Sequence, residues 1–255
     1  MWVEHLAGSL GLAVTPSAAG GNNYAWGGAK TGGQPGPLAP FDLSVQIGHF
    51  LDAHGGMADP NALYVVRGGG NDALASDVSA SASNLGAVIT NLANAGATNF
   101  LVPNLPERDA FFTEVNNDML PVLDILESTL SINLTRSDVN VLFTNIVVDA
   151  LFNGGALFGF TNVSDPCFDG GTVCADPDTY LLWDGVHPTA RAHEMIGAAA
   201  FVQITTVPLP AGIWLLASAL ASVAVVRGRR GLNVPVYPMP GACVGVSLQY
   251  MESTR

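Results

Sequence analysis

The chain has 255 residues, 49% of them apolar, with a mean hydropathy of +0.35 and a formal charge of −12 at pH 7. That length accommodates one sizeable domain and an appendage. Residues 1–226 carry twenty acids against five basic residues, and so acidic a body repels phosphate backbones, which argues against nucleic acid as a partner.

An amphipathic helix opens the chain, "MWVEHLAGSLGL", with Trp2, Val3, Leu6 and Leu10 on one face. It lacks a charged leader, apolar stretch and cleavage site, so no signal peptide is expected in the chain as given. A Gly/Pro-rich stretch from about Pro16 to Pro40 contains "NNYAWGGAKTGG". A second helix is predicted over "FDLSVQIGHFLDAHGG", with Phe41, Val45, Ile47 and Leu51 forming its apolar face.

Apolar strands and helices then alternate. "ALYVVRGGG" reads as a buried strand, residues 75–96 as a long helix, and "TNFLVPNLP" as a second strand. A helix over 110–131 precedes a third strand, "VNVLFTNI". Continuous apolar strands separated by helices indicate a parallel sheet covered on both faces, an α/β fold.

Cys167 and Cys174 close the short loop "CFDGGTVC", which suits a disulfide formed in an oxidising compartment. Two free thiols are the competing reading, and no second ligand pair with suitable spacing supports zinc or another metal. Cys243 has no evident partner. After this loop comes "LLWDGVHPTARAH", where Pro188 suits the first turn of a final helix.

The tail differs in character. Residues 209–226, "LPAGIWLLASALASVAVV", contain no charge and precede "RGRR". As a helix they would span ~27 Å at about 1.5 Å per residue, close to the hydrocarbon thickness of a bilayer. A membrane span is therefore expected, with the arginines on the cytoplasmic side and the acidic body outside.

Three clusters carry candidate chemistry. Asp184 and His187 have the spacing of an acid that orients a base, although an incidental pair in a surface loop is the blander reading. His193, further along the same helix, is expected to face solvent or pack, and His5, His49 and His54 are expected to be ordinary helical residues. "GGND" at 69–72 follows a buried strand at the sheet edge where α/β proteins bind ligands, and Asn71 offers an N–H to an oxyanion. A simple turn is the alternative, and no phosphate-loop motif is present. Gly27 and Gly28 in "NYAWGGA" can present backbone N–H groups.

In this order the clusters resemble blocks of the SGNH/GDSL hydrolase family. "NYAWGGAKTG" is similar to its glycine block, "GGND" to its G-x-N-D block, and "DGVHPTARAH" to its D-x-x-H block. "VPNLP" and "CADPDTYLLWDGVHP" resemble the phospholipase/lecithinase-type branch. The resemblance implies a three-layer flavodoxin-like fold with strand order 2-1-3-4-5 over residues 1–205. It also implies a serine hydrolase that needs no metal or organic cofactor and acts on acyl esters, either small molecules or lipids. His187 would be the base, Asp184 its orienting acid, and Gly28 and Asn71 the oxyanion donors.

One block has no counterpart. The family's nucleophile sits in a G-D-S after the first strand, and nothing ahead of Gly27 matches it; Ser9 in "AGSLGL" follows no buried strand. The expectation is a chain with its first strand missing, an open seam in the sheet and no catalytic serine, arising from a truncated gene product or misplaced start. A surface-anchored protein that binds carbohydrate or lipid without catalysis is the alternative. Residues 206–230 resemble a PEP-CTERM sorting signal, with V-P-L-P where the family name implies V-P-E-P. This implies export to the cell envelope, transient anchoring in the inner membrane and processing by an exosortase-type enzyme. Residues 231–255 have no periodicity and are expected to be irregular.

Overall fold

A computed structural model describes residues 1–32, 41–205 and the backbone of 243–247. Its centre is a parallel sheet. β1 (Leu63–Arg67) pairs with β2 (Asn99–Pro103), and β2 pairs with β3 (Asn133–Ser137). β1 and β2 are buried along every residue but the first, which is why their sequences run apolar without alternation.

Alternate residues divide the core between the two faces. Tyr64, Val66, Phe100 and Val102 pack with α2 (Leu43–Ala53), α4 (Ser81–Asn94) and α5 (Ala110–Thr129). Val65 and Leu101 pack on the other face with α1 (Trp2–Ser9), α6 (Val139–Asn153) and α7 (Ala190–Thr205). Helices on both faces of a parallel sheet make three layers, consistent with the fold expected from the sequence.

Several local expectations change. "VNVLFTNI" is not a strand but the start of α6, and the preceding "NLTRS" forms β3. Val139, Phe143 and Ile146 recur at helical spacing on the buried face, and the Asp138 carboxylate accepts the Val141 N–H at 2.9 Å as an N-cap. The helix expected over 75–96 is shorter, α4, and a separate short helix, α3 (Gly70–Leu74), precedes it. In α2 Ile47 is buried as expected, but with Leu43, Gln46 and Phe50, while Phe41, Val45 and Leu51 are only partly buried; Asp42 caps the helix, accepting the Val45 N–H at 3.0 Å.

The seam expected beside β1 is occupied. Cys243–Ser247, within the stretch expected to be irregular, form β8, parallel to β1 from Leu63↔Cys243 to Arg67↔Ser247. The sheet order is β3-β2-β1-β8, so β8 stands where the family order puts its first strand. The segment near "NNYAW" contributes only the isolated bridge Pro16↔Asn23. The proposed span 209–226 lies outside the described residues, among which no helix is long and apolar enough to cross a membrane.

Candidate active site

The glycine block and the G-x-N-D block are tied together directly. β1 is followed by Gly68 and Gly69; Gly69 has φ +94°, and a Cβ there would lie 2.6 Å from Val115 Cγ1. Only glycine suits both the turn and the close approach. The turn starts α3, whose Asn71 donates from Nδ2 to the Ala29 carbonyl at 2.8 Å. Asp72, buried, accepts from the Thr31 N–H at 3.0 Å and the Thr31 hydroxyl at 2.6 Å. Asp72 thus fastens the loop carrying Gly28, a role the sequence reading did not assign. An amide nitrogen has two protons, so Asn71 keeps one N–H for a ligand.

The D-x-x-H segment leaves β7 (Tyr180–Leu182), which pairs with β4 (Asn162–Pro166) outside the main sheet. Asp184 Oδ1 accepts the Val186 and His187 N–H groups at 2.7 Å each, and Oδ2 meets His187 Nδ1 at 2.8 Å. Partial burial alone would raise the Asp184 pKa. Hydrogen bonds from the His187 N–H, the His187 ring and the Val186 N–H outweigh it and hold the carboxyl below its ordinary value. With Asp184 ionised, Nδ1 carries the proton and Nε2 is the acceptor.

A disulfide between Cys167 and Cys174 lies beside this loop. It closes the hairpin of β5 (Phe168–Asp169) and β6 (Thr172–Val173), and the Phe168 ring stacks on Trp183 with centroids 5.7 Å apart. Trp183 is the neighbour of Asp184, and its N–H donates to the His187 carbonyl at 2.7 Å.

Gly28, Asn71 and His187 line one cavity of about 430 Å³, while Gly27 is not among its lining residues. Its apolar wall includes Leu74, Leu105, Phe112, Phe143, Val147 and Val163. The loop after β2 is shaped by asparagines. Asn116 clamps the Leu105 N–H and carbonyl at 2.9 and 2.8 Å, and Asn140 accepts the Glu107 N–H at 2.9 Å. No serine lines this cavity among the described residues. Ser9 is exposed on α1 and donates to the His5 carbonyl at 2.9 Å.

The GDSL-like lipase/acylhydrolase family profile matches residues 1–200, a span that contains all three blocks. The chain belongs to that family. A GDSL esterase/lipase of Arabidopsis thaliana is 29% identical over 101 residues, covering 35% of this chain and 27% of that relative. The chain thus matches little more than a quarter of that relative's length.

Two buried groups lie near the family blocks, Arg67 and His193. Arg67, at the end of an otherwise apolar strand, lines the cavity and is 3% exposed. Burial pushes its guanidinium down to about 10, still a cation at neutral pH. His193, expected to face solvent or pack, is packed at 3% exposure. Burial first, then the charges of the chain's amino terminus, Arg67, His5 and His187, depress it to about 3. The signal was available, since Ala192, His193, Ile196 and Ala200 recur at helical spacing.

A group held neutral in the fold is protonated more readily in the unfolded chain. Between pH 6.5 and 3 the unfolded state therefore binds more protons, and the stability contributed by His193 is lost as pH falls through that window. The full loss is on the order of 4 kcal/mol. Urea melts at pH 7.5, 5 and 4 should show this slope, and His193→Leu should flatten it. An unchanged slope in His193→Leu would show that another group causes the acid sensitivity.

Proposed function

We propose that this chain carries the acid–base and oxyanion machinery of a serine acyl-ester hydrolase. His187 is the base, Asp184 holds its imidazole, and Asn71 with the Gly28 N–H stabilises the oxyanion. The observation that supports this is the shared cavity. One space is lined by the imidazole, the amide and the glycine, and Asp184 leaves the His187 Nε2 as proton acceptor. The apolar wall suits an acyl chain of a small ester or a lipid, in the manner of the phospholipase/lecithinase-type branch.

In this reading the serine is not among residues of the described cleft, and the chain as given does not hydrolyse esters through a serine. A fluorophosphonate probe should leave it unlabelled. An adduct on Ser9, or esterase activity abolished by Ser9→Ala, would overturn this assignment.

The serine-free, largely apolar cavity also favours a second reading, a surface protein that holds lipid or carbohydrate without turning it over. Saturable binding of a fluorescent fatty acid with no product release would support it; a preparation that only binds ANS through exposed core would argue against it. The sorting-signal pattern in 206–230 supports a further part of the proposal, export and transient anchoring at the inner membrane through residues 209–226 with exosortase-type processing. Mass spectrometry of the exported protein should find its new C-terminus near that segment; full-length protein confined to the cytoplasm would refute it.

A further inference from the structure

We propose that Arg67 forms a buried oxyanion-binding site in the cleft, made for a phosphate or carboxylate group carried by the ligand. Arg67 is 3% exposed, and its Nε and Nη1 have no hydrogen-bond partner among the described residues. Desolvation is the perturbation on this guanidinium, and among the described residues no carboxylate pairs with it. A buried cation without a counter-ion is costly, and leaving two of its donors unmet adds to that cost.

Among the described residues, the acid in the cavity lining, Glu107, is already committed. Glu107 accepts the Thr113 hydroxyl at 3.0 Å through Oε2 and the Asn116 amide at 3.1 Å through Oε1. Arg108 also lines the cavity, its guanidinium 5.8 Å from the centroid of the Phe112 ring. Two of the five basic residues in 1–226 thus lie on one cleft of an acidic protein. A buried planar guanidinium with unmet donors on Nε and Nη1, which face different edges of the plane, fits an oxyanion able to accept from it, and phosphate and carboxylate share that chemistry.

The site itself stands on the unpaired guanidinium. The step from anion to substrate rests on the hydrolase reading: the ester this cleft selects then carries a negative group besides its acyl chain. Labelling by fluorophosphonate decides the hydrolase reading, and anion binding decides the site, so either can fail alone.

The test is thermal unfolding of the full chain with inorganic phosphate, with butyrate, and with sodium chloride at matched ionic strength. Binding at about 100 times Kd should raise Tm by roughly 5–10 °C for a domain of this size, saturably, with the effective anion or anions identifying the preferred group. Arg67→Met should abolish the response and, without the anion, melt no lower than the parent, because it removes an unpaired buried charge. Arg67→Lys, which keeps the charge without the planar array of donors, should weaken the response. The Arg67 Nε–H resonance of the unmodified chain should shift along the same titration, which needs no variant to fold. No saturable effect of either anion beyond chloride, or an undiminished effect in Arg67→Met, would overturn the proposal.

Discussion

A strand ending in Gly-Asp-Ser, fused ahead of Met1, should give this chain a fluorophosphonate-reactive serine and turnover of short acyl esters. His187→Ala in that fusion should remove on the order of 10⁴-fold of the rate, and Asp184→Asn a loss of similar size. The expectation follows from the sheet. A parallel strand added beside β1 ends on the same side as Gly68 to Asn71, where the cavity receives His187. Its serine would arrive beside an imidazole already oriented by Asp184 and an amide already fixed to Ala29. Asp184→Asn leaves the size of the side chain alone but removes the anion that holds the ring tautomer. A fusion that folds and gains a labelled serine, yet loses nothing with His187→Ala, would show that this imidazole is not the base.

The second large effect concerns the edge that such a strand would have to claim. β8 runs along the whole of β1, and β1 is buried from Tyr64 to Arg67. An inner strand stripped of one neighbour exposes a row of unpaired N–H and C=O groups beside an apolar seam. Deletion of residues 243–255 should therefore lower the urea midpoint, by at least a fifth of a total stability of roughly 5–15 kcal/mol, and raise ANS binding. Gly245→Pro and Val246→Pro make the same test by point change. Successive N–H groups along a strand point to opposite sides, so one of the two prolines must remove a bond to β1, at about 3 kcal/mol. That proline should destabilise and its neighbour much less. Equal, negligible effects of both prolines and of the deletion would show that β8 does not hold the sheet together. In the fusion described above, the added strand and β8 compete for one edge, so the fusion should become insensitive to the proline at the same position.

Anion binding at Arg67 and acid sensitivity at His193 are smaller in scale but touch the same region. His193 has Arg67 among the charges that depress it, so an anion bound at Arg67 should ease that repulsion.

Much of this molecule is local and could be read from the sequence. β1 and β2 announce themselves as continuous apolar runs, since a strand buried on both faces has no polar side to show. Asp184 and His187 are three residues apart, a distance at which a single turn can join carboxylate and imidazole, and the structure joins them at 2.8 Å. Gly69 marks a turn because the chain needs φ +94° there. The disulfide joins residues only seven positions apart. Short-range chemistry needs no knowledge of the rest of the fold.

Where two readings of one local pattern were possible, only packing decided. "VNVLFTNI" is apolar enough for either a buried strand or a helix, and the outcome turned on which of its residues meet the core. What lies far apart in sequence was decided by tertiary structure alone. Gly28, Asn71 and His187 share a cavity because separate elements bring their loops to one end of the sheet. Asp72 reaches back 41 residues to Thr31, and Arg67 is buried with no counter-ion among the described residues. β8 pairs with β1 across more than 170 residues of sequence. Composition and periodicity carry the identity of each segment but not its neighbours, because burial and pairing are properties of the assembled surfaces.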